Sequence, residues 1–334
     1  MIPAPAHAAV GFAHGIIHAM STITLDDCIN ARVTVDADRH AAAFARREPF
    51  RHVVIDDFLA ADYAAALLAN FPPFERGNAR NEAGELGGKS TVERIRELGA
   101  PYAKLDTLVQ SRAFLDLVGR LTGIPGLLYD PYYFGGGTHE NRNGQELDPH
   151  VDFNRHPREN WHRRLNLIVY LNPVWDAAWG GALELHSDPR SRDNRVDLVV
   201  PLFNRCVVFE TTESSWHGFN RIALPADRRD LSRKSIALYF YTKDRPAEEL
   251  ADTHSTIYVD RPLPEHFRAG ATLSEADVEE LRVLLARRDQ HNLRLYRDVT
   301  YLTKELAALR AALLAGKLGR LHYLATRAMA RMRR

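Results

Sequence analysis

From Leu147 to Pro173 the chain reads LDPHVDFNRHPRENWHRRLNLIVYLNP. The second half alternates. Leu165, Leu167, Val169 and Leu171 fall on one side of an extended backbone, Arg164, Asn166, Ile168 and Tyr170 on the other, and Asn172-Pro173 ends the run. A strand with one apolar and one mixed face separates a packed core from a polar interior. The same texture recurs on both sides, in LLYDPYYF (127–134), GGALELH (180–186), VDLVVPL (196–202), RCVVFET (205–211) and RKSIALYFYT (233–242), with Gly, Pro, Asn and Asp between the runs. Many short strands punctuated in this way predict a sandwich or barrel.

The flanks read differently. PFRHVVIDDFL (49–59) alternates like a strand. Ala60–Phe71 has helical spacing and stops before Pro72-Pro73, and two further helices are expected over 91–110 and 112–122. Residues 74–90 and 136–149 read as loops. Residues 1–45 are expected as a partly disordered leader, with Met20 as an alternative start. Residues 1–22 carry no Lys or Arg, so a secretory signal would lack its charged region. From 246 to 334 the composition is helical, most clearly over 273–316, and from Lys317 onward six Lys and Arg occur with no acidic residue. The expected organisation is therefore 1–45 leader, 46–245 β domain with supporting helices, and 246–334 helical extension with a basic tail.

Composition narrows the function classes. The 334 residues hold 44 Lys and Arg against 43 Asp and Glu, a balance that argues against a nucleic-acid binder. Cys28 and Cys206 are the only cysteines, too few for a disulfide framework or a cysteine zinc module. No apolar run approaches the roughly 20 residues that span a bilayer, so a cytoplasmic location is expected.

Chemistry concentrates in the β region. His150 and Asp152, two apart on an extended chain, point to one side, and His217 in Ser215-Trp216-His217-Gly218 can join them from a distant strand. Two imidazoles and one carboxylate on one side of a metal suit non-heme Fe(II) oxygen chemistry. The H-x-D pattern alone is weak: with 15 His and 24 Asp, about one copy is expected by chance, and His186-Ser187-Asp188 is a second. Too few strands separate His186 from His217 to close a site, so His150 is preferred. In RKSIALYFYT, the face bearing Ile236, Leu238 and Phe240 should pack on helices. Arg233, Ser235, Ala237, Tyr239 and Tyr241 would then point inward, where a buried guanidinium demands an anion. The distal carboxylate of a dicarboxylic acid fits, with Tyr170 as a second donor.

With these residues in place, HVDFN (150–154), RRLNLIVYLNP (163–173), WGGALEL (179–185), SWHGF (215–219) and Arg233-x-Ser235 together resemble the 2-oxoglutarate/Fe(II) oxygenases of the prolyl-4-hydroxylase-like group, over about residues 48–244. The resemblance implies a mainly β fold with flanking helices, an α+β arrangement with a double-stranded β-helix (jelly-roll, cupin-like) core. It implies Fe(II), 2-oxoglutarate and O2, with ascorbate as an added reductant, and release of succinate and CO2. Carried over by position, His150, Asp152 and His217 are the catalytic metal ligands, while Arg233 and Tyr170 hold the distal carboxylate with Ser235 beside them. Leu183 lines the pocket, and Tyr133 (or Tyr132) touches the iron-side carboxylate. Asp152 stands where halogenases have a small residue, so hydroxylation or desaturation is implied. A prolyl or other amino-acid, peptide, small-molecule or glycan-type substrate follows.

Three other readings compete: a cupin-like metal-binding or sugar-modifying protein without 2-oxoglutarate turnover, a hydrolytic zinc site and a non-catalytic partner-binding module. The basic cluster Arg155, His156, Arg158, His162, Arg163 and Arg164 reads as a rim that could attract an acidic substrate. The C-terminal basic helix is a candidate contact for a homo-oligomer, another partner or an anionic membrane surface.

Overall fold

The computed structural model describes residues 23–45, 48–77, 89–261, 263–264 and 266–332. The first half of the expected leader, Met20 included, lies outside them, as does most of the expected loop 74–90. The described residues form two compact units that part between residues 261 and 262.

Five helices support the first unit: α1 (Ala31–Val35), α2 (Ala37–Phe44), α3 (Ala61–Ala69), α4 (Ala100–Gln110) and α5 (Arg112–Thr122). The strands are β1 (His52–Ile55), β2 (Ser90–Val92), β3 (Leu128–Tyr129), β4 (Gly137–Asn141), β5 (Leu147–Val151), β6 (His162–Tyr170), β7 (Leu183–His186), β8 (Val196–Val199), β9 (Cys206–Glu210), β10 (Trp216–Phe219), β11 (Arg233–Thr242) and β12 (Ile257–Tyr258). They build two antiparallel sheets. The larger runs β1-β9-β6-β11-β4-β2, with β3 also on β11, and the smaller runs β12-β5-β10-β7-β8. This is the jelly-roll arrangement expected.

The faces follow the alternation. Leu165, Leu167, Val169 and Leu171 with Ile236, Leu238 and Phe240 join Leu108, Phe114, Val118 and Leu121 in one apolar cluster, the helix-covered back of the larger sheet. The opposite face contributes Tyr170, Val207 and Phe209, which meet Leu183 and Leu185 of the smaller sheet. Helix α5 has sharp ends because the Ser111 hydroxyl accepts from the Phe114 N–H and Gly123 closes the helix with φ +71°.

Several expectations need correction. The span 91–110 is not one helix. Ser90–Val92 pairs with β4, and Gly99 at φ +112° interrupts before α4 starts. Residues 136–149 are largely strand: β4 was hidden because Gly-Thr-His-Glu-Asn carries no apolar run. Residues 23–45, expected as leader, place Cys28, Ile29, Val33, Ala37 and Phe44 in the core. Beyond residue 245 the chain stays with the sheets, because Ile257 and Tyr258 pair with Val151 and His150 and Arg261 binds Glu184 at 2.7 Å.

The second unit consists mainly of α6 (Glu275–Leu314), opened by a Ser274/Asp277 capping box, and α7 (Gly316–Met332). No helix among the described residues is long and apolar enough to cross a membrane.

Candidate active site

His150 on β5 and His217 on β10 are direct cross-strand partners, so antiparallel pairing alone sets their rings side by side, 4.3 Å between centroids. Each ring's Nδ1 lies 2.9 Å from a backbone oxygen, that of Asp148 for His150 and that of Ser215 for His217. A carbonyl can only accept, so both Nδ1 atoms carry the hydrogen and both Nε2 lone pairs point to the shared centre. Asp152, one residue past β5, brings Oδ1 to 3.8 Å from His150 Nε2 and Oδ2 to 3.4 Å from His217 Nε2. The ligand atoms of all three residues lie within 4.8 Å of one another.

Electrostatics keep this trio ready for a cation. Burial, helped by His217, pushes His150 down to about 3 and also lowers His217, so both imidazoles are neutral at pH 7. Burial alone would raise Asp152. Arg163, the two imidazoles and Asn166 outweigh it and hold the carboxyl below its ordinary value. Asn166 donates to Asp152 Oδ2 at 2.8 Å, and Arg163 Nη2 lies 3.0 Å from the same oxygen.

Arg163 therefore does not belong to a basic rim. It is 1% exposed, lying 3.7 Å from the Tyr239 ring centroid and 4.4 Å from that of Phe153. Arg164 is also buried, against Glu210 and Glu249, and His156 is buried against Asp130. The register shift between Phe240 and Tyr241 breaks the alternation at the start of β6, so Arg163 rather than Arg164 turns to the metal-ligand side.

His186 stands apart from the trio. It pairs with Trp216, whereas Leu185 pairs with His217, so alternation turns its ring to the other face, toward Asn194 (2.9 Å) and Glu184 (3.4 Å).

Arg233 is buried with no carboxylate partner among the described residues. Nε donates to the Gly181 carbonyl at 2.7 Å and Nη2 to the Tyr170 hydroxyl at 3.2 Å, and the Phe219 ring centroid lies 4.4 Å away. Burial lowers its pKa, the penalty on a cation without an anion. Gly181 is needed here. Its φ is +71°, and a Cβ would press on Ile222, Trp175 and the Arg233 side chain at 3.0–3.3 Å. Leu183 lies with Tyr170 in the inner cluster, and that cluster's Phe209 ring sits 4.7 Å from His217, which joins the Arg233 end to the metal end. Ser235 is buried in register between Tyr170 and His139.

Tyr133 is not brought to this interior. Its φ is +51°, its ring lies in the helix-covered core, and its hydroxyl donates to Asp106 at 2.9 Å. Tyr132 donates to Glu159 at 3.1 Å. Two other side chains do reach the interior. His139, on the strand absent from the sequence reading, is held neutral by burial, and Lys89 feels the charges of Asp152, Arg163 and Arg233. No apolar pattern surrounds either, so the sequence carries no signal for them.

The donor set fits Fe(II) and 2-oxoglutarate. Two imidazole nitrogens and a carboxylate converge on one point, and a buried guanidinium without a carboxylate can receive an acidic ligand.

The family model described as 2OG-Fe(II) oxygenase superfamily matches residues 136–241. The mouse (Mus musculus) prolyl 3-hydroxylase OGFOD1 is 28% identical over 106 residues, 31% of this chain but 17% of that protein's length. Among solved structures, a Trichoplax adhaerens prolyl hydroxylase in complex with a hypoxia inducible factor peptide has a TM-score of 0.45 at 15% identity, covering 64% of this chain and 93% of that one. A Pseudomonas putida prolyl-4-hydroxylase has 0.38 at 18% identity, covering 61% and 98%. The similarity to the 2OG-Fe(II) oxygenase superfamily thus lies in residues 136–241, the stretch that carries His150, Asp152, His217 and Arg233.

Proposed function

We propose that the protein is a non-heme Fe(II)- and 2-oxoglutarate-dependent dioxygenase that hydroxylates a C–H bond, most simply of a prolyl or other amino-acid residue in a peptide or small molecule. The observation that carries this is the buried Arg233, free of any described carboxylate, at the far end of an inner cluster that begins at His150, Asp152 and His217. Bound iron would supply O2 activation, with 2-oxoglutarate oxidised to succinate and CO2. His150, Asp152 and His217 would hold the metal, and its chemistry needs positions left for co-substrates. Arg233 and Tyr170 would both donate to the distal carboxylate, and so fix the direction in which the keto acid enters. Leu183 and Leu185 line the route and keep water out. The two Nδ1–H groups, tied to backbone carbonyls, prevent the ligating rings from turning. A carboxylate at Asp152 occupies the position a halide would need, which favours hydroxylation or desaturation.

The peptide or amino-acid assignment is supported by the prolyl hydroxylases among the relatives; a location in the cytoplasm belongs to the same proposal. The test is succinate release from 2-oxoglutarate by purified, Fe(II)-loaded protein, with mass spectrometry of prolyl peptides and amino acids for a gain of one oxygen. Stoichiometric iron with no succinate above background would leave a metal-binding protein without turnover and overturn the reading.

A further inference from the structure

The second unit carries a repeat that the oxygenase chemistry does not use. Along α6, Val278, Leu285, Asn292, Val299, Leu306 and Leu313 recur every seven residues, and Leu281, Arg288, Leu295, Leu302 and Leu309 interleave three residues later. This alternating three–four spacing is the a/d seam of a coiled coil, sustained for five heptads. Among the described residues of the second unit the seam is uncovered. Eight of its apolar residues are between 38% and 62% exposed. Helix α7 does not cover it, because its contacts fall on the flank: Tyr323 donates to Glu305 at 3.4 Å and Gly319 abuts Ala312.

We propose that α6 pairs with α6 of a second copy of this chain as a parallel, in-register, two-stranded coiled coil, making the protein a dimer. Four features select this occupant. First, the period is seven. On a straight helix a strict heptad seam drifts by about 20° per repeat, so it stays on one line only when two helices supercoil around each other. A helix lying on a lipid surface needs a broad face of period 3.6 with no polar gap, and this seam has one at Arg288 and Asn292.

Second, Asn292 is a lone asparagine at an a position near the middle. In a parallel pair a positions meet their own counterparts, so Asn292 bonds Asn292 of the second copy. A slip of one heptad would bury it against Leu285 or Val299. Reversing one helix would set a against d and give Asn292 an apolar neighbour.

Third, the flanking charges agree with parallel pairing. The g positions Asp277 and Glu305 fall opposite the e positions Arg282 and Arg310 of the other helix, and no like-charged g–e pair arises. Fourth, 40 residues give a helix of about 60 Å, ample for a stable two-stranded seam.

The test uses the full chain. Size-exclusion chromatography with light scattering should give twice the 37.8 kDa chain mass, and the double variant Leu302→Lys, Leu309→Lys should run at the single mass. Leu314→Lys, at a residue 90% exposed but just off the seam, should stay dimeric. Because a lysine variant could fail by unfolding α6, a second measurement keeps the rest of the seam native. Leu306→Cys should cross-link to its counterpart under mild oxidation, the native Cys28 and Cys206 being buried. In an antiparallel pair the two positions would stand roughly 35 Å apart at 1.5 Å per residue. A monomeric wild-type chain, whether or not it sediments with anionic vesicles, overturns the proposal. So does a dimer that survives the double lysine change, or a Leu306→Cys chain that fails to cross-link.

Discussion

The interior between the two sheets and the helical second unit are unmatched in opposite ways. Between the sheets the apolar side chains of the inner cluster pack on one another and Asp152 is paired with Arg163, while Arg233 has a hydroxyl and a carbonyl as its described partners. In α6 the opposite holds, and the apolar seam residues are largely exposed among the described residues. An unpaired buried cation and an uncovered apolar line both cost free energy, so each identifies by its chemistry what would relieve it: a small acid in one case, another apolar helix in the other. The two regions should therefore tolerate change differently. One is over-determined by contacts, the other by a heptad pattern that the described residues of its own unit leave uncovered.

The strongest way to break the picture of the sheet interior is at the metal end. His217→Ala should cost more Fe(II) affinity than the roughly 10–100-fold typical of changes to residues that only support a ligand, while His186→Ala should leave iron content nearly intact. Equal loss in both, measured by metal analysis in the presence of 2-oxoglutarate, would mean that the wrong H-x-D had been assigned.

Next in size is Arg163→Leu. It leaves Asp152 buried with Asn166 as its remaining side-chain donor, and breaking such a pair costs on the order of 3–5 kcal/mol. Urea unfolding of the metal-free protein reads this directly; a change below about 1 kcal/mol would place Arg163 in water after all.

Arg233→Lys keeps the charge and loses the two-pronged donor. A hydrogen bond to a charged group contributes about 1.5–3 kcal/mol, so the 2-oxoglutarate KM should rise roughly 10–100-fold, with iron content unchanged. A larger effect from Lys234 variants would reverse the faces of β11.

The smallest effect is a pH dependence at His139. Burial holds its folded pKa well below the ordinary 6.5, so its neutral form supports the fold above that value. As pH falls below 6.5 the unfolded chain takes up the proton first, and stability drops by at most about 1.4 kcal/mol per pH unit. His139→Asn should flatten the stability curve between pH 6.5 and 5 relative to wild type. Parallel curves would show that the imidazole is already solvated.

How much was readable in advance follows the same division. The back of the larger sheet was legible because Leu165–Leu171 and Ile236–Phe240 alternate without interruption. The metal trio was legible because two of its members sit two residues apart on an extended chain, and Arg233 because its strand has an apolar opposite face. Where register shifts, alternation misleads. The irregularity at Phe240/Tyr241 exchanged the roles of Arg163 and Arg164, and three members of the expected basic rim, His156, Arg163 and Arg164, are buried in pairs while Arg158 stays exposed. Tyr133 was misplaced because its backbone turns into the left-handed region, where side-chain direction no longer follows a period of two. β4 was missed because its residues are polar, and it is a strand only through its neighbours β2 and β11.

Strand β12 is only two residues long, yet it occupies the outer edge of β5, and Tyr258 lays its ring 5.1 Å from that of His150. A sheet edge without such a cover offers a row of free N–H and C=O groups to any extended chain nearby. A fragment cut at residue 244, where the β-rich sequence stops, would keep every proposed ligand and still bare that edge. It should self-associate by adding strands, and light scattering should rise with concentration, whereas a fragment ending at Arg261 keeps its edge closed. The two residues thus act as a selvedge, and the minimal oxygenase unit is set by solubility as well as by chemistry.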